Sequence, residues 1–135
     1  MALPPLRLLM HAWENFHKGC RQIAFDSFEE FFEEYSNHYC VGSAACGLAH
    51  FYEHGEIVPQ DLELAFMLYV IAAKGNIADA QAKVALWQEE GLKVPQNLEE
   101  AKFWREHEAV QRTKDARPML TLSESIQNSM KSQRN

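Results

Sequence analysis

A repeat at a spacing of 36 residues constrains the fold of this chain more than any other feature of its sequence. The hexapeptide VPQDLE at residues 58–63 recurs as VPQNLE at residues 94–99. A glycine stands three residues before each copy, at Gly55 and Gly91, and Gly19 precedes Gly55 by the same 36 residues. Periods of roughly 20–50 residues are typical of stacked repeats. Such stacks form binding surfaces more often than reaction centres.

Aligning the chain at this spacing produces columns of apolar or small residues. The two clearest columns contain Leu8, Ala44, Ala80 and Ala116 in one, and Ala12, Leu48, Val84 and Leu120 in the other. Because residues four apart share a face of an α-helix, each row predicts a helix with one inward stripe. The glycine that follows each of the first three rows predicts a left-handed helix end.

The VPQ block predicts a turn followed by a second helix in each repeat. Proline disfavours a helical conformation in the residue before it. Asp61 and Asn97 can cap the first amides of the new helix, and Glu100 completes a capping box with Asn97. In the first row the turn is shifted, and Ser27 with Glu30 predicts a second helix that begins near residue 27.

The spacing of these residues resembles the Sel-one-like repeat (SLR), a relative of the tetratricopeptide repeat. The resemblance is carried by the following positions: Ala44, Leu48, Ala49, Tyr52, Gly55, Val58, Asp61, Ala65, Tyr69, Ala72, Ala73 and Gly75. A second copy over residues 80–109 departs from the family pattern at Gln88, Asn97 and Glu108. The resemblance implies a bacterial adaptor or regulator that binds other proteins.

The predicted fold is all-α, an α/α superhelical solenoid of about three helix-turn-helix repeats with a short C-terminal capping helix. Pro118 is expected to break any helix that would run through it, and the end of a stack needs a cover with a polar outer face. A closing helix is therefore predicted over about residues 119–131. The predicted organisation is a solenoid at 1–117, with a degenerate repeat at 5–38 and repeats at 43–75 and 79–110, followed by a capping helix and frayed tail at 118–135.

An aromatic stripe in the first repeat occupies positions where the family places alanines. Its members are Phe28, Phe31, Phe32 and Tyr35. Aromatic residues at helical spacing are mostly core, so the stripe predicts a core or a cap, with an exposed contact surface as the alternative. Whether the chain is a monomer or a homodimer stays open, and this stripe is the expected place for a dimer contact.

The charge of the chain is unevenly distributed. The net charge is −6, and residues 110–135 carry five Lys/Arg and two acids, so residues 1–109 carry −9. An acidic body repels nucleic acid and favours a basic protein partner. No apolar run approaches the length of a membrane span, and the first ten residues predict the first helix and not a signal peptide. No membrane association is predicted.

The cysteines indicate a reducing, cytoplasmic compartment. Cys20, Cys40 and Cys46 are odd in number and form no CxxC pair, which argues against a disulfide framework and a zinc site. They are expected to be small buried side chains. The chain has no glycine-rich phosphate loop and no serine or cysteine beside a histidine as a nucleophile pair, so no cofactor and no catalytic residue is predicted.

One stretch has the form of a catalytic motif. Residues 50–54 read HFYEH and match HxxEH, in which two histidines four apart could bind zinc and the glutamate could act as a base. Tyr52 and Gly55 are already explained by the repeat, and the motif lacks a third ligand on a distant element. A zinc-dependent hydrolase is therefore the weakest of the alternatives, and no metal site is predicted.

The remaining candidate is a binding surface on the concave face, which the first helix of each pair lines in tetratricopeptide-like stacks. The positions opposite the inward stripe are Glu14, Asn15, His50, Phe51, His54, Leu86, Trp87 and Glu90. Phe51 and Trp87 share a column and are expected to anchor a peptide or protein partner, with packing against a neighbouring helix as the alternative. The predicted function is a non-catalytic protein–protein interaction module, and an immunity or antitoxin-like protein is the narrower alternative.

Overall fold

The computed structural model describes the backbone of residues 3–133 and the side chains of residues 3–116, and all regular secondary structure in this part is helical. Consecutive helices pack against each other, and they form three pairs, α1–α2, α3–α4 and α5–α6. This arrangement confirms the predicted all-α repeat solenoid. The six helices are α1 (Pro5–Lys18), α2 (Arg21–Glu34), α3 (Val41–His54), α4 (Leu62–Lys74), α5 (Ala78–Glu90) and α6 (Leu98–Gln133).

The turns of the second and third pairs share a glycine end and a glutamine hydrogen bond, whereas the positive φ of Ile57 (66°) has no counterpart at Lys93. Both glycines that end the first helices, at positions 55 and 91, have φ of 67° in the left-handed region, as predicted. The Gln60 side-chain amide donates a hydrogen bond to the Glu53 carbonyl (2.8 Å), and Gln96 donates in the same way to Glu89 (3.0 Å). The last carbonyls of a helix have no partner within it, so the glutamine of the VPQ block satisfies one of them in each repeat.

The predicted caps of the second helices are confirmed. The Asp61 carboxylate accepts a hydrogen bond from the Leu64 amide (3.1 Å). Asn97 accepts one from the Glu100 amide, and its own side-chain amide donates to the Glu100 carboxylate (both 3.1 Å). The glutamate therefore reaches the side chain of the cap residue and not its backbone amide.

The start of α2 differs from the sequence prediction. Gly19 (φ 87°) reverses the chain in one step, and the Cys20 amide donates to the Asn15 carbonyl (2.9 Å). The helix consequently resumes at Arg21, without the seven-residue turn of the later repeats. Ser27 lies buried inside α2, so the predicted capping box at this residue is wrong.

The aromatic stripe of α2 is mainly core. Phe28 and Phe31 are fully buried, and Phe32 and Tyr35 are half-buried against the same core. The ring of Phe28 lies on Gly47 of α3, where a Cβ would stand 2.6 Å from a ring carbon. Glycine at this position therefore lets α2 and α3 approach each other around the ring.

α6 is longer than predicted. It runs without interruption from Leu98 to Gln133, so the break expected at Pro118 and the separate helix over 119–131 are wrong. A proline inside a helix removes one backbone hydrogen bond and can kink the helix without ending it. The expected packing of side chains in the 118–135 cap lies outside the described side chains. No helix in the described part, α6 included, is both long and apolar enough to cross a membrane.

The three cysteines are free. Cys40 and Cys46 are half-buried, but Cys20 is exposed. The expectation that all three are buried is therefore wrong for Cys20. Cys20 follows the left-handed Gly19 at the tight turn between α1 and α2, where its side chain is exposed.

Candidate functional site

A groove crosses the side of the stack that the first helices of the three pairs form, and we call it the first-helix groove. It encloses about 260 Å³, slightly less than the roughly 300–1,000 Å³ of typical small-molecule sites. This space suits one large side chain. The lining residues are Trp13 and Phe16 of α1, Cys46 and His50 of α3, Tyr69 of α4, and Asp79 and Lys83 of α5.

Aromatic rings form one wall of the groove. The Trp13 and Phe16 ring centroids are 5.3 Å apart in an edge-to-face arrangement, and the Phe16 and His50 centroids are 5.0 Å apart. The Trp13 indole N–H donates a hydrogen bond to the Ser43 hydroxyl (2.8 Å), which satisfies its polar atom and fixes the ring. The wall is therefore preformed and mostly apolar.

A buried carboxylate network lies beneath the groove. Glu53 is 6% exposed, and its two oxygens accept hydrogen bonds from the Tyr69 hydroxyl (3.0 Å) and the Lys83 ammonium (3.1 Å). Burial alone would raise the pKa of Glu53, but the hydrogen bond and charge of Lys83, with the bond from Tyr69, hold this pKa below its usual value. Burial and the Glu53 charge raise the pKa of Tyr69. The network connects three helices, α3, α4 and α5.

The charged side chains at the groove have partners within the chain. Lys83 pairs with Glu53, as described above. Asp79 accepts a hydrogen bond from the Arg112 guanidinium of α6 (3.2 Å). Each cation at the groove therefore stands beside a carboxylate, and the groove is close to neutral.

Burial also shifts the two titratable groups of α3 that line the groove toward their neutral forms. It raises the pKa of the Cys46 thiol to about 11, with a further contribution from the Asp79 charge. It lowers the pKa of His50, which the neighbouring His54 lowers further. A thiol with a raised pKa is a poor nucleophile near neutral pH.

In the HxxEH stretch the glutamate is engaged by its neighbours, and His54 lies beside it (Nε2 to Oε2, 3.2 Å). Both Glu53 oxygens are engaged by Tyr69 and Lys83, so this carboxylate is not free to act as a base. The His50 and His54 ring centroids are 4.4 Å apart. Among the residues with described side chains, no three His, Cys, Asp or Glu side chains come together in a metal-binding arrangement.

Phe51 and Trp87 are not exposed anchors, so that part of the sequence prediction is wrong. Both are buried, Trp87 to 1% exposure. The Phe51 centroid lies 5.4 Å from that of Phe25, and the Trp87 centroid lies 6.2 Å from Phe66 and 5.6 Å from Tyr69. Each residue packs against the second helix of the preceding pair, which is the alternative that the sequence left open.

Of the eight predicted partner-binding residues, the structure places one, His50, in the groove lining. Asn15 occupies the same column as Phe51 and Trp87, and it lies in the first of the three helix pairs that the structure describes. Its side chain donates to the His11 carbonyl within its own helix (2.8 Å). The residues at the surface but outside the lining are Glu14, Asn15, His54, Leu86 and Glu90.

The sequence analysis did not select most of the lining residues. Cys46, Asp79 and Lys83 occupy three different columns of the repeat. Trp13 carried a signal that could have been used. Its column continues as Ala49 and Ala85, so a large aromatic ring stands where the later repeats place alanine.

A family model of the Sel1 repeat matches residues 42–77 and 78–104. The first match covers α3 and α4, and the second covers α5 and the start of α6. No curated protein and no solved structure matches the chain significantly. The chain is a Sel1-like repeat protein. Repeats of this kind generally mediate protein–protein interaction and are typically non-catalytic.

Proposed function

We propose that this Sel1-like repeat protein is a non-catalytic adaptor or regulator that binds a peptide or protein partner in the first-helix groove. The observation that carries the proposal is the preformed aromatic wall of Trp13, Phe16 and His50 on the side of the stack formed by α1, α3 and α5. A rigid apolar wall binds a partner without an additional ordering cost.

Two of the reactive groups at the groove favour binding over catalysis. Burial raises the pKa of the lining thiol, Cys46, to about 11. The one buried carboxylate, Glu53, accepts hydrogen bonds from Tyr69 and Lys83. A general base or nucleophile needs a free, activated group, and these two groups are not free.

The acidic charge of the chain suggests how the partner is approached. Residues 26–34 of α2 contain five carboxylates, all exposed, and no Lys or Arg. A basic segment of the partner would be attracted to these carboxylates. Such complementarity increases the rate of association more than the affinity. The partner we propose is therefore a protein with an apolar docking element and a basic segment.

The experiment that tests this function is a selection of peptides from a displayed random library against the wild-type chain. Peptides that share a consensus would then be measured by calorimetry against His50→Glu, with His107→Glu as the matched control on the exposed surface of α6. We expect His50→Glu to weaken binding at least about tenfold, which corresponds to about 1.4 kcal/mol, and His107→Glu to leave it unchanged. Equal affinities for all three proteins, with unchanged melting temperatures, would contradict binding in the groove.

A further inference from the structure

From the charges that line the groove, and resting on the proposed function, we infer that the first-helix groove selects an uncharged apolar side chain of the partner and rejects a charged one. The chemical class is an amino-acid side chain of the size of leucine or phenylalanine. Neither the family match nor the position of the groove determines this preference.

The charged side chains at the groove are already paired. Lys83 donates to the buried Glu53 (3.1 Å), and Arg112 donates to Asp79 (3.2 Å). A charged side chain that entered would lose water without gaining a free counter-ion, unless it displaced one of these partners. Desolvation of an unpaired charge is costly, so charged side chains are disfavoured at this position.

The uncharged surface of the groove matches an apolar side chain of the partner. The rings of Trp13 and Phe16 present an edge and a face, and the protonated Cys46 thiol behaves as a small apolar group. An entering ring or branched chain would exchange water for these contacts, which is favourable in proportion to the apolar area buried. The groove volume of about 260 Å³ limits the occupant to one such side chain.

The experiment uses the three tryptophans as reporters in one spectrum. In the ¹⁵N-labelled full chain, the Trp13 indole N–H lies at the groove, whereas Trp87 and Trp104 are buried elsewhere in the stack. The probes are the N-acetyl amides of phenylalanine, leucine, lysine and glutamate. We expect the phenylalanine and leucine probes to shift the Trp13 signal saturably, at least about fivefold more tightly than the lysine and glutamate probes. The Trp87 and Trp104 signals are expected to stay in place.

A variant of the chain is expected to change the side-chain preference of the groove. Arg112→Gln removes the guanidinium that pairs with Asp79 (3.2 Å) and with Glu108 (3.0 Å), and Glu108 keeps its second partner, Arg105 (3.1 Å). The side chains of Arg112 and Asp79 are both more than half exposed. We expect the lysine probe to gain at least about threefold in affinity for this variant, and the phenylalanine probe to bind as before. The spectrum itself shows whether the variant is folded. Lys83→Met, which frees Glu53, provides a second variant with the same expected direction.

The inference is overturned if charged probes shift the Trp13 signal as tightly as apolar ones, or if no probe shifts it. It is also overturned if the apolar probes shift all three indole signals equally, because that result indicates non-specific association. If the probes fail while selected peptides still lose affinity in His50→Glu, the inference is wrong and the proposed function stands. If the selected peptides do not depend on His50, the proposed function is wrong whichever probes bind.

Discussion

The repeat places the same two columns in two environments, one inside the stack and one at its end. Glu53 and Tyr69 meet between the second and third helix pairs, and Glu89 and Arg105 occupy the equivalent positions 36 residues later. Inside the stack, Glu53 is 6% exposed and accepts a hydrogen bond from the Tyr69 hydroxyl (3.0 Å). At the end, the Glu89 side chain is 38% exposed and pairs with the Arg105 guanidinium (2.7 Å).

The difference shows how one repeat pattern produces both a junction and an end. The buried Glu53 carboxylate contacts a neutral phenol, the Lys83 ammonium, which keeps part of its exposure to water, and the His54 ring (Nε2 to Oε2, 3.2 Å), because an unpaired carboxylate in a core is costly to desolvate. In the last pair that the structure describes, a solvated ion pair is sufficient. Lys102 and Arg105 stand in the columns of Phe66 and Tyr69, so the third pair offers a polar face.

The prediction with the largest effect compares one column in the first and the third of the described pairs. Asn15 stands in the column of the buried Trp87. We expect Trp87→Ala to lower the free energy of unfolding by about 3–5 kcal/mol, because it leaves a large cavity between α4 and α5. Asn15→Ala is expected to change it by about 0.5 kcal/mol or less, as is usual at the surface. Urea unfolding of the three proteins measures both values.

The outcome also separates the two interpretations of Trp87. If Trp87→Ala weakens peptide binding but leaves the urea midpoint unchanged, the residue is an exposed anchor after all. If both substitutions destabilise the chain equally, the proposed difference between the interior and the end of the stack does not exist.

The error over Phe51 and Trp87 shows which part of the fold a single sequence can predict. The 36-residue columns predicted the helices of the second and third pairs and their glycine ends, because these features depend on local backbone preferences and on one inward stripe. A helix inside a stack has a second contact face, toward the preceding pair, and a helical wheel cannot distinguish that face from the surface. Phe51 and Trp87 lie on it.

The groove could be predicted only in outline. The first helices were expected to line the binding face, and they do line the groove. The individual residues were not predictable, because the offset between neighbouring helices decides which positions meet. Trp13, Cys46 and Lys83 belong to three different columns, and only the packed structure brings them to one place. The ion pair between Glu53 and Lys83 could not be predicted for the same reason, because the two residues are 30 positions apart in the sequence.

The second prediction compares the two equivalent glutamates directly. We expect Glu53→Gln to destabilise the chain by about 1–3 kcal/mol, because it removes the charged acceptor of Lys83 in a buried site. Glu89→Gln changes the same atoms in an exposed ion pair and is expected to cost about 0–1 kcal/mol. Urea unfolding at neutral pH gives both values, provided that the slopes of the unfolding curves agree. Equal losses in the two variants would show that burial does not distinguish the junction from the end.

The smallest expected effect is the pH dependence of the contribution that Glu53 makes to the free energy of unfolding. The folded pKa of Glu53 lies below its ordinary value of 4.5, so the unfolded chain takes up this proton first as the pH falls. The stability that Glu53 contributes is therefore complete above about pH 4.5 and is lost as the pH falls through the lower folded pKa. His50 also has a lowered pKa, from 6.5, and it causes a loss of stability that begins at higher pH.

Subtracting the free energies of unfolding of two variants isolates the contribution of Glu53. The difference in free energy of unfolding is therefore taken between His50→Gln and the double variant His50→Gln/Glu53→Gln, because the Glu53 charge acts on the pKa of His50 and the His50 contribution would not cancel otherwise. We expect that difference to be constant from about pH 7 to pH 5 and to shrink as the pH falls below about 4.5. The same subtraction with Glu89→Gln leaves the Glu53 titration in both proteins, so it should not reproduce this loss. A difference for Glu53→Gln that stays constant down to the acid limit of folding would mean that Lys83 and Tyr69 do not stabilise the ionised carboxylate in the folded chain.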